Sequence, residues 1–520
     1  MKRNVRLKRT LGLCIATILF IGLIIVPAFA KDGPKQTGDV VFATYFPNFY
    51  QKGGDPATHT NGFPVIGQTI FDSLVWADKD QNIKPALCKS FKIHEGWKVF
   101  DFFIRGDVKF HNGVPVTAQD IKYSLETYLR SDLKFLFQPL WVRCIESIEV
   151  LDPLHLRITL DNPNPGFMGR LWWAAGVFPE KYREAVGDDG FADKPIGAGP
   201  FKWVEYKQDV YWKAEAVKNH YRKTPEIKTF KMVYVPEHST RLAMLKAGEA
   251  DLINLIGPHI PLIKATPSMR LIWGKWPSLT VLAYADLVDP DTTSPFQNML
   301  VRKAASLAID RKAICEKLLF GASEPYGELL SPLTWGYDPA IKPNLYDPEA
   351  ARELLAQAGY PKGFQTTIST TRPNKFWVEA IAANLKEVGI RTKIEIYEGG
   401  AWQSAFFTRK LRGLITTGFW HHSEKHVAAD TSDFLLNYMP WAYYTTPEIH
   451  RAILEARSAI TEDEMTHWGK KISKMVRDRH IRLFLWANHT PYGAGAKIEF
   501  WEPQLGAMPG TAFEYIKLKR

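Results

Sequence analysis

Between Gly418 and His426 the chain reads Gly-Phe-Trp-His-His-Ser-Glu-Lys-His, its densest run of side chains that could do chemistry. Three imidazoles, His421, His422 and His426, stand beside Trp420. Imidazole suits nickel, but no cysteine joins the three, and Lys425 opposes a cation, so no ligand set is completed and no metal site is expected. Aromatic side chains are plentiful, with 17 tryptophans. At a cleft edge their faces stack on sugar rings, aromatic rings or peptide planes. Trp172, Trp173, Trp273, Trp276, Trp335, Trp402 and Trp441 fall near turns or strand ends, where such a role is open to them. Enzyme signatures are missing: the sequence has no H-E-x-x-H, no G-x-S-x-G elbow and no G-x-x-x-x-G-K-[ST] loop. Gly197-Ala198-Gly199 is a lone G-x-G before a strand and reads as a turn rather than a phosphate cradle. No cofactor is implied. A hydrolase built from scattered carboxylates stays open as an alternative class.

These side chains must be positioned by short strands alternating with helices, a pattern that predicts open α/β sheets. Strands are expected at Asp39–Phe46, Lys98–Arg105, Arg157–Leu160, Lys228–Val235, Leu279–Ala285, Gln365–Thr370 and Lys393–Tyr397. Helices are expected at Val301–Ile309, Arg311–Phe320, Pro348–Ala358, Lys375–Val388 and Glu462–Arg479. Asp310 caps one of these and Gly321 stops it, while Asp347-Pro348 and Gly359 bracket another. After Gly106-Asp107 a short run, VKFHNG, closes on Asn112-Gly113, a strong turn signal, and is expected to complete a hairpin. Thr117 with Asp120 then forms a capping box for a helix with Ile121, Leu125 and Leu129 on one face.

Five basic residues, Lys2, Arg3, Arg6, Lys8 and Arg9, precede an apolar run from Leu11 to Val26 and then Pro27-Ala28-Phe29-Ala30. This order predicts a secretory signal, residues 1–30, cleaved after Ala30. A retained anchor is disfavoured because the run falls short of the ~20 residues a spanning helix needs. Cys14 lacks the small residues that precede a lipidated cysteine. Loss of the five basic residues takes the net charge from +11 to +6. That mild excess, with no clustered basic face, argues against nucleic acid as a partner. Cys88, Cys144 and Cys315 would remain, and an oxidising compartment leaves open one bridge, between Cys88 and Cys144.

Several blocks together resemble a known family. Leu87 to Glu126 carries the hairpin and capped helix. Gly197-Ala198-Gly199-Pro200-Phe201 is similar to a GTGPY element, and Ala247 to Ile253 to a G-x-x-D element. Pro295 to Phe320 reads PFQNMLVRKAASLAIDRKAICEKLLF. Tyr346 to Gly359 reads YDPEAARELLAQAG, and Pro361-Lys362-Gly363-Phe364 follows. In this order they resemble the family 5 extracellular solute-binding proteins, the binding components of ABC importers for oligopeptides, dipeptides, nickel complexes and some sugars.

The resemblance implies a two-lobed α/β fold with a hinge and a subdomain inserted in the first lobe. Lobe I would comprise 31–72, 195–280 and 487–520, the inserted subdomain 73–194, and lobe II 281–486, with crossovers near Ala283–Leu287 and Leu485–Asn488. It implies a periplasmic protein, a monomer, that binds a peptide or peptide-like solute between the lobes and hands it to ABC permease subunits. The alternatives are an oligosaccharide, an aromatic compound or a nickel chelate. The family's cleft includes a G-W-x-x-D stretch whose aspartate pairs with a peptide's α-ammonium. Here Trp420 matches the tryptophan, Ser423 falls where the aspartate is expected, and Glu424 comes one residue late. A hydroxyl cannot neutralise a buried ammonium. Either Glu424 shifts inward, or the solute has no free amine there. The expected ligand-binding residues are Trp420, His422, Ser423, Glu424, Phe46 and Trp335.

Overall fold

The structure is a computed structural model. It describes residues 36–45, 53–58, 63–133, 144–420, 425–436, 442–503 and 512–520, with the backbone only of residues 63–66, 275–277, 399, 420 and 433. An eleven-stranded mixed sheet runs through it. On one side lie Ile390–Tyr397, Phe364–Thr371 and Leu414–Trp420, and on the other Leu252–Asn254, Asp39–Thr44, Thr229–Tyr234, Tyr211–Ala216 and Phe201–Lys207. Two long antiparallel strands, Arg270–Tyr284 and Leu483–Ala494, join the halves, and Ser323–Pro325 adds to the second of them. Near the middle their register breaks: Gly274 to Ser278 on one strand faces only Asn488 to Thr490 on the other. Extra residues in one strand bend the pair and increase its twist. The sheet thus turns from one half to the other ahead of Ala283 on the first strand.

Beside a large buried cluster that runs through both halves, from Phe42 and Leu252 to Ile415 and Ile472, each half has a smaller one of its own. Leu282, Phe296, Val301, Ile309, Ile368, Ile381 and Leu485 pack in one, and Ala43, Leu242, Leu245, Ile253 and Ile263 in a smaller one on the other side. A separate antiparallel sheet, in the order Cys88–His94, Val99–Ile104, His155–Leu160 and Ile145–Asp152, lies within residues 73–194. The helix Ala118–Leu129 packs beside it. The capping box is present: the Thr117 hydroxyl accepts from the Asp120 backbone N–H at 3.4 Å, and the Asp120 carboxylate accepts from the Thr117 N–H at 2.9 Å.

Three local readings need correction. The VKFHNG run makes the expected turn, with Gly113 at φ 87°, but pairs through one bridge, Lys109 to Pro115, rather than a hairpin. Pro115 has no N–H with which to extend the ladder. The helix expected over Arg311–Phe320 is a short turn, Arg311–Ala313, capped by Asp310, followed by a π-helical turn, Ile314–Leu318. The strand expected at Leu279–Ala285 begins at Arg270. Gly197 and Gly199 are turn glycines beside another segment: a Cβ on either would sit 2.2 to 2.8 Å from the Ile70 carbonyl oxygen. His111 closes the same corner through its N–H to the Gly197 carbonyl at 2.9 Å. Cys88, Cys144 and Cys315 are buried thiols, and burial pushes those of Cys88 and Cys315 up to about 12.

Candidate functional site

A cleft of about 560 Å³ opens where the two crossing strands pass between the sheet halves. Its floor is formed along both of them. Ser278 and Thr280 come from the first, and Trp486, Asn488 and Thr490 from the second. Asn488 ties the floor together. Its amide donates to the Ser278 hydroxyl at 3.0 Å, and its carbonyl accepts from the Ser323 hydroxyl at 3.2 Å. The second strand's next residue, His489, donates its N–H to the Ala322 carbonyl at 2.8 Å.

The wall from the Leu414–Trp420 side is aromatic and hydroxylic. Thr416, Thr417 and Gly418 come from that strand, and Phe376 and Trp377 from the first turn of the helix Lys375–Glu387. Trp402, Gln403, Phe406 and Phe407 come from the helix Gly399–Phe407. Trp377 is buried edge-on against Trp486, with centroids 5.2 Å apart. Trp402 is half-buried, packed on Tyr397 at 6.0 Å and on Phe406 at 5.8 Å. It therefore keeps a face for a solute.

The opposite wall is built from chain that leaves strand ends: Tyr45 after Asp39–Thr44, and Leu255, Ile256 and Gly257 after Leu252–Asn254. His238 joins them at the start of the helix His238–Ala247. Behind it Arg241 is fully buried and places its guanidinium carbon 5.2 Å from the Tyr45 ring centroid. Burial, with Arg241 adding to it, holds His238 down at about 4. Burial also raises the Tyr45 hydroxyl above its ordinary value. The two walls touch at Gly257, where a Cβ would lie 2.5 Å from the Leu319 carbonyl oxygen. Only a glycine lets these backbones approach so closely.

The expected site residues fall differently. Trp420 ends the strand that carries Thr416, Thr417 and Gly418 and pairs with Ser278 through its backbone. Its side chain lies outside the described residues, as do Phe46, His422, Ser423 and Glu424 entirely. Trp335 is half-buried, donates its N–H to the Lys425 carbonyl at 3.0 Å, and is not among the described residues that line the cleft. His426 is a helix cap. Its Nδ1 accepts from the Ala428 N–H at 3.1 Å and its Nε2 lies 3.2 Å from the Ala459 carbonyl, so both nitrogens are occupied. Among the described residues no group of three His, Cys, Asp or Glu is placed to hold a metal. Sequence reading missed Asn488, Ser278, Thr280, His238 and Tyr45. The signal available for the first three was polar residues inside largely apolar strands. His238 and Tyr45 carried none, since their place is set by strand ends far apart in the chain.

Comparison with known proteins agrees with this architecture. Residues 82–420 match the family described as bacterial extracellular solute-binding proteins, family 5 Middle. The chain is 28% identical over 417 residues to heme-binding protein A of Haemophilus influenzae, covering 74% of each chain. It is 28% identical over 387 residues to di/tripeptide-binding protein 1 of Pseudomonas aeruginosa, covering 67% of this chain and 70% of that one. Its fold superposes with a TM-score of 0.80 on the ABC transporter-associated periplasmic binding protein DppA from Helicobacter pylori in complex with the peptide STSA. That match covers 94% of this chain and 99% of the other at 23% identity. The two-lobed α/β fold expected from the sequence is thus the observed one. The match spans more than half of the sequence, and the chain belongs to the family 5 bacterial extracellular solute-binding proteins, which bind small-molecule or peptide ligands and work with ABC permeases.

Proposed function

We propose that the protein captures one peptide or peptide-like solute per chain in the cleft between its lobes, closes on it, and delivers it to the permease without chemical change. The observation that carries this is the cleft itself. About 560 Å³ is enclosed by two walls and floored by the crossing strands, within the ~300–1,000 Å³ usual for small-ligand sites. A solute that touches both walls favours the closed state by its differential affinity. Di/tripeptide-binding and oligopeptide-binding relatives support the peptide class. Trp420 ends a strand whose Thr416–Gly418 line the cleft, His422, Ser423 and Glu424 follow it in sequence, and Phe46 follows the lining residue Tyr45. These neighbours support all five as ligand contacts. Trp335 is the weakest of the proposed contacts. The partition into 31–72, 195–280 and 487–520 against 281–486, with 73–194 inserted, is supported by the two buried clusters and the separate four-stranded sheet.

A solute lacking a free amine is a second reading, favoured because no Asp or Glu stands among the described lining residues. We further infer that the protein is exported, cleaved after Ala30, and acts as a monomer in the periplasm. A thermal-shift panel of di- and tripeptides, oligosaccharides and nickel chelates, with each bound solute recovered and weighed, tests the function. An unchanged peptide that raises the melting temperature is expected. A panel in which only sugars or chelates do so overturns the peptide class, and a cleaved product overturns the binding role. Intact mass and light scattering of the exported protein check the Lys31 start and the monomer.

A further inference from the structure

Arg241 is fully buried, yet its charge meets no carboxylate at ion-pairing distance among the described residues. Its Nε donates to the Asn254 carbonyl at 3.1 Å and its Nη1 to the Val235 and Pro236 carbonyls at 2.6 and 3.1 Å. The remaining Nη2 is directed at Nδ1 of His238. A guanidinium has donors only. Nδ1 of His238 must therefore accept, and a neutral imidazole that accepts at Nδ1 carries its proton on Nε2. Arg241 fixes the tautomer of a residue that lines the cleft, and it places a full positive charge directly behind that residue's donor.

The surroundings reinforce the sign. His238 opens the helix His238–Ala247, whose cap residue Glu237 makes no side-chain capping bond, so the positive end of the helix lies here. His259, with its ring 6.2 Å from that of His238, has a buried Nδ1 without a hydrogen-bond partner among the described residues. The exposed Glu237 is the nearby acid, and it does not line the cleft.

Resting on the solute-binding reading, we propose that this end of the cleft receives an anionic group of the solute, a carboxylate, on the Nε2–H of His238 with the charge of Arg241 behind it. A hydrogen bond backed by charge in a partly desolvated site discriminates an acid from its amide by roughly 10- to 100-fold.

Two measurements test this separately from the peptide reading. In the first, calorimetry compares short peptides bearing a free or an amidated carboxyl terminus. The free acids are expected to bind roughly 10-fold or more tightly, with that ratio falling towards one in His238→Phe and partly restored in His238→Gln. Equal affinities, or a ratio that survives in His238→Phe, overturn the proposal while leaving peptide binding intact. In the second, ¹⁵N-histidine spectra are followed as acetate is added. The His238 Nε2 resonance, identified by its loss in His238→Gln, is expected to shift saturably. If it shifts while no peptide binds, the anion subsite stands and the peptide reading falls. If it stays fixed to saturating acetate, the anion subsite is overturned.

Discussion

The two walls of the cleft differ in kind. One presents aromatic faces and hydroxyls from Phe376, Trp402, Phe407, Thr416 and Thr417. The other presents Tyr45 and His238 over a buried guanidinium. The first gains from any flat, weakly polar surface. The second discriminates by sign and direction. A solute held between them is gripped by one and oriented by the other, which is how a single fold can be kept while its ligand changes.

The supports behind the walls differ too. On the His238 side of the molecule, Arg241 apart, a buried cluster pairs cations with anions. Asp72 lies 3.0 Å from Arg222, 3.1 Å from His220 and 2.7 Å from the Tyr221 hydroxyl, and Arg222 reaches Glu514 at 2.6 Å. Burial works against the Asp72 charge, yet Arg222, His220 and Tyr221 hold its carboxyl well below the usual carboxylate range. On the other side the buried arginines are met by carbonyls: Arg302 by Phe296, Gln297 and Arg479, and Arg311 by Ser306 and Phe484. The largest expected effect breaks the paired support. Asp72→Asn leaves Arg222 with half its partners and should lower stability by ~3–5 kcal/mol, the cost of breaking a buried ion pair. Denaturant unfolding measures it, and a loss below ~1 kcal/mol would show that the network is not needed.

Next comes the gripping wall. Trp402→Ala should weaken solute binding by ~1–3 kcal/mol, as for a stacked aromatic hot spot, and should move the unfolding midpoint far less because the ring is only half-buried. Calorimetry and a melt on the same variant separate the two. Gly257→Ala tests whether the walls must touch. Its new Cβ would meet the Leu319 backbone at 2.5 Å, and overpacking of this kind costs ~1–3 kcal/mol; walls that part without solute would escape that cost in the unliganded protein. Affinity should therefore fall while the unliganded protein melts normally.

The last effect concerns pH. Burial raises the Glu328 carboxyl to about 7, although its Oε1 accepts from the Leu329 and Leu330 N–H groups at 2.7 and 3.2 Å and from the Ser473 hydroxyl. A carboxyl raised on folding favours the protonated native state. Its contribution is full below the ordinary value of about 4.5 and is lost as pH rises through about 7. Stability should decline by up to about 3 kcal/mol across that window, and Glu328→Gln should flatten the slope in unfolding measured from pH 4 to pH 8.

The sequence made the local elements legible and the site much less so. Thr117, Asp310 and Asp347 cap where their side chains say they should, because a cap is decided within four residues. The crossing strand was harder. Its expected start was Leu279, and the earlier part from Arg270 to Gly274 is held by pairing with Leu483–Ala494. The cleft floor was hidden for the same reason, since Asn488 meets Ser278 across 210 positions of chain. Trp402 was one of many tryptophans near turns. What singles it out is that its helix packs beside the strand Phe364–Thr371, which no spacing announces.

The most direct test of a cleft that closes on its solute is solution scattering of the full exported chain, with and without a saturating peptide chosen from the thermal-shift panel. The radius of gyration should fall on binding, and Gly257→Ala should blunt the fall. An unchanged radius at full occupancy would contradict closure between the two walls.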